Sequence, residues 1–245
     1  EALVLDEADH MLDLGFIHDL KRILPLLPAR RHTLFFSATM PADIEALGRS
    51  FLVDPVRVAV APPATTAERV EQAAYLVAPE DKPALLAHVL SDAALDRALV
   101  FTRTKHGADR VVKQLARAGV AAEAIHGNKK QTHRDRALDA FRRGTVRILV
   151  ATDIAARGVD VPGVSHVVNY EVPNVAEQYV HRIGRTARAG AEGRALSFVA
   201  ADEIAHLRGI EKTTRLDVPV LALPEAIGAE AARRAPPPGA ERSAL

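Results

Sequence analysis

Three arginines recur at every third position, Arg182, Arg185 and Arg188, behind His181 and between Gly184 and Gly190. A guanidinium stays charged and offers a planar fork of donors that fits phosphate oxygens. Glycine lets the backbone pass close to a bulky group, or turn where a Cβ would forbid it. Taken alone, such a stretch is equally a solvated basic turn. Its acidic counterpart lies at the other end of the chain, where the apolar run Leu3-Val4-Leu5 delivers Asp6-Glu7-Ala8-Asp9. A buried parallel strand carries its last residues to the sheet edge at which ligands bind. Two adjacent carboxylates there suit phosphoryl transfer. One holds Mg²⁺, the next orients the attacking water, and an arginine stabilises charge on the transferring group. By itself the acidic tetrad also reads as a capped helix start.

Periodicity indicates the elements that must position these groups. Ala2–Leu5 reads as a buried strand, followed by helical spacing from Leu12 to Leu24 that Pro25 and Pro28 close. A second strand over Thr33–Phe36 delivers Ser37-Ala38-Thr39. Pro41 opens a helix to about Phe51, and Val56–Val60 reads as a third strand. Residues 61–68, with Pro62-Pro63 and no apolar period, are expected to be a linker. Beyond it, strands over 71–77, 98–101, 122–125, 147–151, 164–170 and 195–199 alternate with helices over 82–91, 106–118, 132–143, 175–183 and 202–212. That alternation predicts βαβ units and a parallel sheet. Phe101 and Phe141 read as core. Residues 219–245 are rich in Ala, Arg and Pro and are expected to be disordered, with a short helix over 225–234 as the alternative because alanine favours helix.

The 245 residues carry a net charge of +1 and 48% apolar residues, of which few are aromatic, so Leu, Val and Ala must fill the cores. Without cysteine, disulfides and thiolate metal sites are excluded, which suits a reducing compartment. No long apolar run or signal-like start suggests a membrane or secretion. Charge is unevenly spread. The first twenty residues are acidic without lysine or arginine, whereas residues 103–147 are rich in both, as phosphate-backbone binding requires.

Four stretches appear in the order and spacing of the DEAD-box RNA helicases, which the chain therefore resembles over residues 1–218. They are Asp6–Asp9, Ser37–Thr39, Ala151–Gly158 and His181–Arg185. Val100–Gly107 and His126–Lys129 look most like the bacterial RhlE-like branch. The resemblance implies an α/β fold of RecA-like parallel sheets flanked by helices. Residues 1–60 would be the rear part of a first, ATP-binding domain and residues 69–218 a complete second domain. It further implies ATP and Mg²⁺ as cofactors, RNA as partner, cytoplasmic location, and RNA-stimulated ATP hydrolysis coupled to local duplex unwinding. By resemblance, Asp6 holds Mg²⁺ through water, Glu7 orients the attacking water, and Arg182 and Arg185 reach the γ-phosphate. Ser37, Thr39 and His181 match residues that couple nucleotide state to domain closure, although Ser37 could equally cap the helix after Pro41. Gly158 and Asp160 match positions beside the nucleotide, and Asp160 could be only a turn residue. Gly127, Gln131, Arg134 and Thr152 match RNA-phosphate contacts, with Arg103 and Thr104 assigned to the same track. Ala187 stands where the family most often has glycine, a variant expected to be tolerated.

No G-x-x-x-x-G-K-[ST] loop occurs in these residues. In the family that loop precedes the acidic strand, so the sequence is expected to be a fragment that begins after it and to be inactive alone. A non-catalytic RNA-binding fragment and a DNA-directed helicase of the same superfamily remain the alternatives.

Overall fold

The computed structural model describes residues 1–13, 15–37, 40, 42–59, 70–156, 161–187 and 192–234, and divides the chain into two compact units, Glu1–Pro63 and Ala64–Leu245. The first unit contains β1 (Ala2–Leu5), α1 (Ala8–Asp13), α2 (Ile17–Ile23), β2 (His32–Phe35) and α3 (Ala42–Arg49). β1 and β2 pair in parallel, with Leu3 opposite Thr33 and Leu5 opposite Phe35. Leu5, Leu20 and Leu47 form the core, and Phe35 meets Phe51 edge to face at 5.5 Å.

Two expectations for this unit are corrected. β1 is not buried on both faces: helices cover Leu5 while Val4 remains 54% exposed. Residues 55–59 form no strand, and Val56 and Val58 stay exposed because neither described strand of the unit pairs with them. A strand needs a ladder partner as well as an apolar sequence.

The second unit is built on seven parallel strands in the order β5-β6-β4-β7-β8-β3-β9. They are β3 (Val70–Leu76), β4 (Ala98–Phe101), β5 (Glu123–Ile125), β6 (Ile148–Ala151), β7 (His166–Asn169), β8 (Gly193–Val199) and β9 (Val220–Leu221). Between and after them run α4 (Lys82–Leu90), α5 (Lys105–Arg117), α6 (Gln131–Arg142), α7 (Asp153–Ala156), α8 (Ala176–Ile183), α9 (Ile204–Thr214) and α10 (Glu225–Arg234). Alternate residues of each central strand enter opposite cores. Leu99, Phe101 and Leu149 pack on the side of Phe141, Tyr179 and Ile210, whereas Val100 and Val150 pack on the side of Leu86 and Leu115. Burial on both faces is why these strands are uninterrupted apolar runs in sequence. Phe101 and Phe141 are core, as expected.

The disordered stretch expected from residue 219 is corrected over 219–234. β9 pairs with β3, Ala74 opposite Val220, and α10 follows with Ile227 7% exposed in the core. Apolar burial, not alanine content alone, holds this segment. Residues 61–68 and 235–245, expected as linker and tail, lie outside the described residues.

Because all seven strands are parallel, the residues following β4, β5, β6 and β7 emerge on one edge of the sheet. Ligands bind at that edge in open α/β sheets.

Candidate functional site

In the first unit the acidic residues follow β1 directly. Asp6 is exposed, and one of its carboxylate oxygens accepts the Glu7 N–H at 2.8 Å. Glu7 has φ 53°, a left-handed conformation that a residue with a Cβ adopts at a cost of about 1–2 kcal/mol. The sharp turn it makes starts α1 only two residues beyond the strand. The Ala8 N–H donates to Phe36 O at 3.1 Å and the Asp9 N–H donates to Ser37 Oγ at 3.1 Å. Ser37 thus caps the first turn of α1, not α3, which begins five residues later at Ala42. The acidic turn and the end of β2 are one hydrogen-bonded assembly, so a shift of either moves the other. Thr39 lies outside the described residues.

The arginine repeat divides in the second unit. Arg182 is 1% exposed. Its Nε and Nη2 donate to the two carboxylate oxygens of Asp153 at 2.6 and 2.8 Å. Its Nη1 donates to Asn169 Oδ1 at 3.2 Å and Glu171 O at 2.7 Å. The guanidinium also lies 5.0 Å from the centre of the Phe101 ring. The catalytic role expected of Arg182 is corrected: with its donors spent inside the sheet edge, it ties α8 to the ends of β6 and β7. Arg185, one turn on, is half-buried, and its Nε donates to His181 O at 3.3 Å. His181 is half-buried in the last turn of α8. Thr186 hydrogen-bonds to Val164 O and Ser165 O, anchoring the end of the motif. Ala187 has φ 53°, which supplies the physical reason for glycine at this place. Arg188, Gly158 and Asp160 lie outside the described residues.

Four expected RNA contacts sit on the sheet edge or at the helix beside it. Thr152 is 8% exposed and follows β6, and its carbonyl accepts the Ala155 and Ala156 N–H groups at 3.0 Å. Gly127 follows β5 and is exposed, with no atom within 4 Å of where a Cβ would stand. Gln131 and Arg134 occupy the first turn of α6 and are joined by an Arg134 Nη1 bond to Gln131 Oε1 at 3.1 Å. Lys130, at the N-cap, gives no side-chain cap, so the leading N–H groups of this 12-residue helix keep their positive end turned outward.

Arg103, also expected on the track, is exposed just past the end of β4. Its guanidinium donates to Glu203 and to Asn174 Oδ1 at 3.2 Å, and its N–H donates to Glu171 Oε2 at 2.6 Å. It is a strut of the sheet edge. Thr104 caps α5 by accepting the Gly107 N–H at 2.9 Å.

Two structural partners were not found from sequence. Asp153 is the partner of Arg182, and its place directly after the β6 strand was the available signal. Glu203 is 1% exposed and accepts from Lys82 Nζ at 2.5 Å, Ala200 N–H at 3.0 Å, Val172 N–H at 3.1 Å and Arg103. Nothing local in sequence marks it. Among the described residues no group of three or more His, Asp or Glu side chains converges as a metal cage, and no helix is long and apolar enough to cross a membrane.

A parallel sheet flanked by helices, with the acid pair and the arginine-rich helix end at strand ends, is an arrangement of the RecA-like class. Residues 1–47 match the family described as DEAD/DEAH box helicase, and residues 81–190 match the one described as Helicase conserved C-terminal domain. The ATP-dependent RNA helicase CshA of Listeria monocytogenes is 45% identical over 224 residues, covering 91% of this chain and 43% of that protein. A DEAD box protein from Methanococcus jannaschii is 35% identical with TM-score 0.61, over 91% of this chain and 60% of that one. S. cerevisiae Dbp5 bound to RNA and ADP BeF3 is 29% identical with TM-score 0.82, over 95% of this chain and 62% of that one. The chain belongs to the DEAD-box ATP-dependent RNA helicase family. It spans less than half the length of the curated relatives it matches, 43% of the Listeria protein and 46% of one from Geobacillus kaustophilus.

Proposed function

We propose that this chain is part of an ATP-dependent RNA helicase, in which it supplies the acidic strand end, one phosphate-facing arginine and an RNA-backbone track. The observation that carries this reading is the 45% identity to an ATP-dependent RNA helicase over 91% of the chain. In this reading Asp6 holds Mg²⁺ through water. An exposed carboxylate with one oxygen already engaged fits Mg²⁺, which keeps most of its water and leans on substrate phosphates. The ion would neutralise charge on the nucleotide. Glu7 orients the attacking water, and Arg185 stabilises charge on the transferring phosphoryl. Gly158 and Asp160 sit beside the nucleotide, while Ser37, Thr39 and His181 couple its state to closure. RNA phosphates run past Thr152, Gly127 and the first turn of α6 with Gln131 and Arg134, and Thr104 borders the track. A cytoplasmic location and membership of the RhlE-like branch belong to the same proposal.

The test is steady-state ATP hydrolysis with saturating RNA. The 245-residue chain alone is expected to stay near background, since no phosphate-cradling loop is among its residues. Joined in frame behind a P-loop half from a relative, it is expected to reach RNA-stimulated turnover on the order of 1 s⁻¹. Turnover at that rate by the chain alone, or a joined protein indifferent to RNA, would contradict the proposal.

A further inference from the structure

We propose that Asp109 is a positioning residue for RNA: it holds residues 126–130 in the shape that presents Gly127 and the first turn of α6 to a phosphate. The inference rests on the RNA track proposed above. Asp109 lies on α5 and is not one of the residues assigned to that track. Its Oδ1 is 3.1 Å from Nε2 of His126, which directly follows β5 with 2% of its side chain exposed, and 2.9 Å from Nζ of Lys129. One helical turn earlier, Lys105 Nζ donates to Asn128 Oδ1 at 2.7 Å. Three of the five residues between β5 and α6 are therefore gripped from a single face of α5, and two of the grips converge on one carboxylate oxygen. Within the loop, the Lys129 N–H closes a turn on His126 O at 2.9 Å, and the His133 and Arg134 N–H groups start α6 on Lys130 O. The space where a Gly127 Cβ would stand is open. The lateral grips and this turn are what fix where the helix begins.

Burial works against the Asp109 charge, yet the Lys129 ammonium and the His126 ring beside it outweigh that and hold its carboxyl below the usual range. A fixed anion beside an RNA track has a cost, because it repels phosphates. That makes the sign of its removal decisive. If Asp109 is a bystander, Asp109→Asn removes a negative charge, leaves Lys129 less neutralised, and tightens RNA binding. If Asp109 positions the loop, the same change weakens binding, because the phosphate loses a donor set that was already aimed.

The experiment measures binding of a fluorescent single-stranded poly-uridine to the 245-residue chain across a salt series, with urea unfolding in parallel. Variants are Asp109→Asn, Asp109→Glu and Arg134→Ala. Asp109→Asn is expected to weaken binding about tenfold, the scale of one charge-assisted hydrogen bond. It should also flatten the salt slope by about 0.7, the value for one phosphate contact on a single strand. The unfolding midpoint should stay close to that of the parent, since the Asp109 side chain is 38% exposed. Asp109→Glu should recover much of the loss, because it restores a carboxylate within reach. Binding by Asp109→Asn that equals or exceeds the parent's, with Arg134→Ala weakened, overturns the positioning role and leaves the RNA track standing. If Arg134→Ala and Asp109→Asn both match the parent, the track itself is wrong and the inference falls with it.

Discussion

Arg185→Lys is expected to lower RNA-stimulated ATP turnover about 10³-fold in a chain joined behind a P-loop half, while RNA binding without nucleotide persists. Lysine keeps the positive charge and loses the bidentate fork, so the loss reports geometry and not net charge. Arg185 stands beyond the last turn of α8, half-buried, tied through Nε to the carbonyl of His181. Arg182 is the contrasting case. Its guanidinium is inside the sheet edge, bidentate to Asp153, so Arg182→Gln is expected to act on stability, by about 3 kcal/mol, the lower end for breaking a buried pair. Turnover and urea unfolding measured on both variants separate the roles. Unchanged turnover in Arg185→Lys, or an unchanged unfolding midpoint in Arg182→Gln, would mean that the two arginines have been assigned the wrong way round.

Glu203→Ala is expected to destabilise the second unit by about 3–5 kcal/mol, since it strands Lys82 in the interior without its counter-charge. The side chains of Lys82 and Glu203 are 5% and 2% exposed, and Lys82 also donates to Tyr170 O at 3.0 Å. Burial raises the Glu203 carboxyl. It is nevertheless held below the usual range by the Lys82 hydrogen bond, the Ala200 N–H and the charges of Lys82 and Arg103. A depressed folded value contributes stability above the unfolded value, about 4.3, and that contribution is lost as pH falls through the folded value. The gap between parent and Glu203→Ala should therefore be full at neutral pH and shrink below about pH 4. Urea unfolding across that range checks both statements, and a gap that is small at neutral pH or grows in acid would contradict them.

How far the sequence could be read depends on whether the partner of a residue is local. Ala98–Phe101 was bounded correctly because a four-residue apolar run buried on both faces has no other use. The helices α5 and α6 were found within one residue at each end from their own periodicity. The arginine repeat was expected as a phosphate-binding element, and its spacing did not reveal that Arg182 is turned into the sheet edge. A spacing of three looks the same whether a guanidinium faces a ligand or a neighbouring strand, and only Asp153, 29 residues away, decides it for Arg182. Glu203 and Lys82 lie 121 residues apart, with no local pattern to mark either. Val56 and Val58 have the composition of a strand and no described partner to pair with. β9 was invisible for the opposite reason: Val220 and Leu221 are too few to show a period, yet the edge of β3 accepts them.

In the function proposed above, the C-terminal edge of the second unit's sheet carries an RNA-backbone track. The most direct test is the salt dependence of single-stranded RNA binding by the 245-residue chain. With Thr152, the Gly127 turn and Arg134 each engaging a phosphate, log affinity should fall against log salt with a slope of about −2, at about −0.7 per phosphate. Strands of different sequence should bind alike, because phosphates carry no sequence information. Affinity that stays flat from low to moderate salt, or that follows sequence steeply, would contradict the claim.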